Sequence, residues 1–246
     1  MNQVIFRTMN KFMQHPLLLL PLYPVKDLSK AVECVILLHG LARTKKSLLK
    51  LERHLEKNGF CVVNTGFPSR KKTIQELSVD VIPEAIEKCF SFGATRIHFV
   101  THSIGGILLR YYLAHNNKVP RLGRVVMLSP PNSGSEVVDK LRDICLFKWI
   151  NGPAGEQLGT GPDSLPKSLG AVDYEVGIIT GDKTINPLLS LLIPGENDGK
   201  VSVESAKLCG MKDFLVVHKT HPFIMNDKKV LCQITAFINN GIFNQD

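Results

Sequence analysis

The stretch Ile97-His98-Phe99-Val100-Thr101-His102-Ser103-Ile104-Gly105-Gly106-Ile107-Leu108-Leu109-Arg110-Tyr111 changes character at one residue. Up to Thr101 it is rich in strand formers, and behind Ser103 two glycines lead into good helix formers, which predicts a strand, a one-residue corner and a helix. A serine at such a corner is held in a strained backbone that lifts its hydroxyl out of the sheet, and Gly105 permits the close approach that the bend needs. The following helix points its free amides and positive dipole end at the same spot, which suits a developing negative charge. Thr101 stands where the G-x-S-x-G elbow pattern usually has its first glycine, so the corner must leave room for a β-branched side chain.

Outward from this corner the same rhythm recurs. Cys34-Val35-Ile36-Leu37-Leu38 is a continuous apolar run, as expected of a strand buried on both faces of a parallel sheet. A helix is expected from Thr44 to Asn58, stopped by Gly59, then a strand at Phe60–Asn64 and a helix from Ile74 to Phe90 that Pro83 should kink or divide. Beyond the corner, strands are expected at Arg124–Ser129, Val176–Gly181 and Phe214–Val217, with a closing helix from Lys228 to Asn239. Strands alternating with helices predict an α/β fold, a doubly wound and mostly parallel sheet with right-handed crossovers. The rhythm lapses from about residue 131 to 173, where a short helix from Glu136 to Trp149 precedes a run rich in Gly and Pro. An insertion of that length predicts a cap or lid over a site, against the plainer reading of an irregular surface loop.

A chain of 246 residues, 44% hydrophobic, suffices for one domain with a large core, assigned here to residues 31–246. The net charge of +8 lies in scattered clusters such as Arg43, Lys45, Lys46 and Arg70, Lys71, Lys72, without an Arg-rich helix or interleaved aromatics. That speaks against nucleic acid and leaves room for weak contact with an anionic membrane surface. Six cysteines without a C-x-x-C pair favour a reduced, cytoplasmic protein over a disulfide scaffold or zinc site, with Cys34, Cys61, Cys89 and Cys232 as small core residues. Residues 1–30 form an N-terminal extension. Its apolar run at residues 16–22 is interrupted by prolines and lacks a small-residue cleavage site, so it reads as neither a signal peptide nor a membrane span.

A serine hydroxyl needs a base, and the base needs an acid to fix its tautomer. Both must sit at the carboxyl ends of strands, on the edge that carries Ser103. His221, in the loop after the last expected strand, is the best base; His218, His102, His98, His54, His115 and His15 are weaker rivals. Asp198, in the turn Gly195-Glu196-Asn197-Asp198-Gly199, is the best acid, followed by Asp182 and then Glu196. The amides of Ile104 and Leu41 are the natural oxyanion donors. Leu41 follows His39 and Gly40, which are expected to shape the substrate side of the site together with His102.

With these residues in view, the chain resembles the α/β-hydrolase superfamily, and within it the lipase-like serine esterases. The resemblance runs from about Cys34 to the C-terminus through the His39-Gly40 loop, the Thr101–Gly105 elbow, the Asp198-Gly199-Lys200-Val201 turn and His221. Residues 123–139 and 152–159 resemble those of a bacterial subgroup known only as hydrolases or lipases. The resemblance implies hydrolysis of a carboxylic ester, lipid-like in part, through an acyl-enzyme on Ser103, with no metal or organic cofactor. Leu141, Ile144, Leu146, Phe147, Trp149 and Ile150 are candidates for an acyl pocket or for ordinary cap core. An acyltransferase or thioesterase with the same triad, or a silent domain that binds lipid or protein, are the competing readings.

Overall fold

The computed structural model describes residues 31–115, 119–185 and 187–244, except the side chains at 146–148 and 189. The expectations for the N-terminal extension, for His15 and for Leu146 and Phe147 as pocket residues lie outside the described part. From Val32 onward the chain forms one compact unit.

Six strands, β1 (Val32–Leu38), β2 (Cys61–Thr65), β3 (Ala94–His102), β4 (Leu122–Leu128), β5 (Val176–Gly181) and β6 (Asp213–Val217), form one sheet in the order β2-β1-β3-β4-β5-β6. Every pairing is parallel. The order reverses between β1 and β3, so the carboxyl ends of these two strands flank the crevice where ligands bind in open α/β sheets. The elbow serine follows β3 and the His39-Gly40 loop follows β1.

The apolar runs are double-sided for a visible reason. Cys34, Ile36 and Leu38 of β1 face helices α2 (Ile74–Ser91) and α3 (Ile104–His115), while Val35 and Leu37 face α1 (Leu49–Lys57) and α9 (Lys228–Asn240). Two cores therefore lie on opposite faces of the sheet, so the β1 run is apolar on both sides.

Three local expectations change. The helix foreseen from Thr44 begins as a 3-10 turn, Lys45–Leu48, before α1. Helix α2 runs undivided through Pro83, started by a capping box between Thr73 and Glu76. Pro83 removes only the bond to the carbonyl of Val79, a residue on the exposed side where water can take that role. The helix foreseen from Glu136 to Trp149 is instead two, α4 (Glu136–Leu141) and α5 (Cys145–Glu156), with α5 broken internally at Gly152, φ 63°. A Cβ on Gly152 would meet the carbonyl oxygen of Arg70 at 2.0 Å, so backbone contact fixes that break. Short helices α6 (Leu165–Ser168), α7 (Pro187–Ser190) and α8 (Val203–Ala206) complete the described α-helices, and a 3-10 turn, Ile224–Asn226, precedes α9. Cys232 lies on the exposed face of α9 and is not a core residue.

Candidate active site

Ser103 adopts φ 54°, a left-handed conformation that a serine enters only under constraint. Its N–H donates to Leu128 O at 2.8 Å, which ties the corner to β4. Gly105 is required because a Cβ there would lie 2.6 Å from Leu38 O; α3 starts against the end of β1. Room for Thr101 comes from Gly106, whose added Cβ would stand 3.3 Å from Thr101 Oγ1. The glycine missing before the serine is thus compensated by one three residues after it.

The base and acid arrive from the far side of the sheet. His221 Nε2 lies 3.1 Å from Ser103 Oγ, and His221 Nδ1 lies 2.8 Å from Asp198 Oδ2. The three side chains are almost wholly buried. Asp198 Oδ1 accepts the N–H groups of Lys200 (3.0 Å) and Val201 (2.9 Å), and the N–H of His221 donates to Asp198 O at 3.0 Å. Burial drives the Asp198 carboxyl upward, but the charge and hydrogen bond of His221, the nearby Ser129 hydroxyl and the Val201 amide together hold it below its ordinary value. An ionised Asp198 keeps the proton on Nδ1 and leaves Nε2 free to accept from the serine.

The rival residues have other partners. His218 is exposed and pairs with Asp182 instead, Nδ1 to Oδ1 at 2.9 Å. His98 is buried in the sheet and accepts the Arg124 N–H at 2.9 Å; His54 meets Thr235, and His115 the Tyr111 carbonyl. Glu196 is exposed. His39 stacks on Phe67 with 3.9 Å between centroids; its Nε2 accepts the Phe67 N–H and its Nδ1 donates to Gly40 O. Burial lowers its pKa, so this is a neutral strut beneath the loop, off the cavity wall. His102, a weaker rival for the base and expected to help shape the substrate side, lines the cavity, and its Nε2 donates to His221 O at 3.0 Å. Burial and the neighbouring His221 charge push its pKa well below 6.5, which fixes the neutral form that makes this bond. Gly40 is needed beside it, since a Cβ there would fall 2.6 Å from His102 Nδ1.

Above Ser103 and His221 opens a cavity of about 240 Å³. Leu41, Val137, Val138, Leu141, Ile150 and Leu158 give it an apolar wall, and Arg43 and Lys200 stand at its polar side. Of the acyl-pocket candidates, Leu141 and Ile150 are present, whereas Ile144 and Trp149 are exposed and do not line it. Val137, Val138 and Leu158 were not foreseen: the two valines are adjacent, so no helical spacing marks them as one wall. The turn at Leu41 and Ala42 closes with Arg43 N–H to Gly40 O, and Ala42 sits at φ 54°. Among the described residues the Leu41 N–H has no hydrogen-bond partner, and Ile104 is the first residue of α3, where amides lack intrahelical partners.

No protein-family model and no curated protein sequence matches the chain. Solved structures do match. The mature lipase BlEst2 of Bacillus licheniformis aligns over 89% of this chain and 96% of its own, with a TM-score of 0.68 and 18% identity. A monoacylglycerol lipase of Paleococcus ferrophilus aligns over 85% and 95%, with a TM-score of 0.53 and 16% identity. The phospholipase PlaB of Legionella pneumophila aligns over 72% of this chain but 46% of its own, with a TM-score of 0.59 and 20% identity. At these identities what is shared is the fold: the chain has the α/β-hydrolase fold of bacterial lipases and esterases.

Proposed function

We propose that on this α/β-hydrolase fold Ser103, His221 and Asp198 act as a catalytic triad that hydrolyses a carboxylic ester through an acyl-enzyme. The observation that carries the reading is the continuous chain from Ser103 Oγ to His221 Nε2 (3.1 Å) and from His221 Nδ1 to Asp198 Oδ2 (2.8 Å), buried at the floor of an apolar cavity. Ser103 Oγ attacks the ester carbonyl while His221 Nε2 takes its proton, and the imidazolium is stabilised by the Asp198 carboxylate. The tetrahedral oxyanion is received by the amides of Leu41 and Ile104, each such donor being worth about 3 kcal/mol of transition-state stabilisation. His221 then protonates the departing alcohol, and in reverse order activates water to release the acid. His102 is a positioning residue in this scheme, holding the loop that carries the base.

The insertion at residues 131–173 acts as the cap whose apolar side chains receive the acyl group. The apolar wall of this cavity of about 240 Å³ suits an acyl chain of short to medium length. The test is labelling by a fluorophosphonate together with a series of p-nitrophenyl esters. Labelling lost in Ser103→Ala, with an optimum below long-chain esters, is expected; a folded natural chain that does not label overturns the triad.

A further inference from the structure

The cavity wall has two chemistries with two origins. Its apolar side comes largely from the insertion, through Val137, Val138, Leu141, Ile150 and Leu158. Its charged side comes from scaffold loops: Arg43, two residues beyond Leu41, and Lys200, two residues beyond Asp198. Among the described residues, neither cation's side chain forms an ion pair or a hydrogen bond. Asp198 forms no ion pair with Lys200, its oxygens being bonded to the Lys200 and Val201 amides and to His221, although its charge still acts on Lys200 through space. Arg43 and Lys200 are both solvent-exposed, and the charge of Arg43 acts on Lys200 as a like charge, against the upward pull of Asp198. Both cations also reach His102, beside the serine, electrostatically.

Two like charges that line one cavity and have no ion-pair partner repel each other, and an anion placed against both relieves that repulsion. We propose that the ester cleaved at Ser103 carries a phosphate group on its alcohol side, held between Arg43 and Lys200 while the acyl chain lies against the insertion. The planar guanidinium matches two phosphate oxygens at once and the ammonium adds a compact charge. A phosphate monoester, close to a dianion at neutral pH, answers two cations, whereas a carboxylate would leave one unanswered. The inference rests on the serine-ester reading, but the anion site can be measured without turnover.

The binding arm uses the Ser103→Ala variant and thermal unfolding in hexyl phosphate, hexanol or inorganic phosphate at equal concentration. Hexyl phosphate is expected to raise the midpoint most, and the gain over hexanol is expected to vanish when Arg43→Gln and Lys200→Gln are added. Equal protection by inorganic phosphate alone would reveal a free-phosphate site unconnected to the acyl cavity and overturn the proposal. A gain that survives the two substitutions would do so as well. The kinetic arm compares 1-hexanoylglycerol-3-phosphate with 1-hexanoylglycerol in the natural chain. An advantage in kcat/KM of about tenfold or more for the phosphate ester, shrinking as salt screens it, is expected. A ratio near one overturns the phosphate preference, whereas loss of both activities with no fluorophosphonate labelling overturns the triad and leaves the binding arm to decide on the anion site.

Discussion

In the proposed mechanism Asp198 contributes less by its charge alone than by the tautomer it enforces on His221. Asp198→Asn can keep a hydrogen bond to Nδ1 only by donating to it, which places the imidazole proton on Nε2, facing Ser103 Oγ, and removes the base. A fall in kcat on the order of 10⁴, with the fold retained by circular dichroism, is the expected outcome. Gly105 constrains the same site sterically. A methyl at Gly105 would meet Leu38 O at 2.6 Å and Leu38 Cβ at 3.0 Å, and backbone cannot yield as a side-chain tip can. Gly105→Ala is expected to cost about 1–3 kcal/mol, read as a lower urea midpoint, and to lower activity by displacing the Ile104 amide. The network of Ser103, His221 and Asp198 was legible in the sequence because a strand-to-helix corner and strand-end loops leave local marks. The part played by His102 was not, since its bond to His221 O joins residues 119 positions apart and no local pattern encodes it.

At the scale of elements, the insertion is fastened at both ends by one buried side chain. Arg110, on α3, donates from Nη1 to Asn132 O at 3.0 Å and from Nη2 to Gly170 O at 2.8 Å. Further bonds hold its first residues down: Ser133 N–H to Ser205 O, Asn132 Nδ2 to Ala206 O and Ser135 Oγ to Lys200 O. Arg110→Met leaves the buried Asn132 carbonyl without this donor, at about 1–3 kcal/mol, while water can reach the carbonyl of the exposed Gly170. Faster amide exchange at residues 132–134 and 169–172, ahead of the sheet, is the expected signature, and unchanged exchange there would show that the other bonds suffice. The sequence marked where this insertion lies but not its inner structure. Gly152 and Pro153 together read as a breaker, yet the left-handed turn at Gly152 is set by the Arg70 carbonyl, a tertiary contact. Pro83 taught the converse, since helical context absorbed a residue whose local preference is to interrupt.

Over the whole molecule, the sheet order brings together the serine loop and the Leu41 loop from neighbouring strands β3 and β1, while the acid and base follow β5 and β6. The alternation of strands and helices was readable because apolar runs and amphipathic stretches are local; the order of strands was not, being decided by packing between distant segments. The fold also carries a pH limit that involves no catalytic residue. His98 is buried between β3 and the α1/α9 layer, and burial, followed by the charges of Arg96 and Arg124, lowers its pKa from 6.5 to about 4; Glu33, 3.6 Å away at the sheet's margin, does not offset them. A histidine whose folded pKa is depressed lends stability that is complete above 6.5 and is lost as pH falls through about 4. The gap corresponds to about 3 kcal/mol, so urea midpoints should decline across that window, and more gently in His98→Gln. Finally, the sequential order Ser103, Asp198, His221 has a meaning during synthesis. The nucleophile leaves the ribosome with more than a hundred residues still to be made, and it has neither base nor acid until β6 and the loop behind it have docked. A nascent or prematurely terminated chain therefore carries an inert serine, and the appearance of esterase activity in a cell-free translation should report completed folding rather than the mere presence of the elbow.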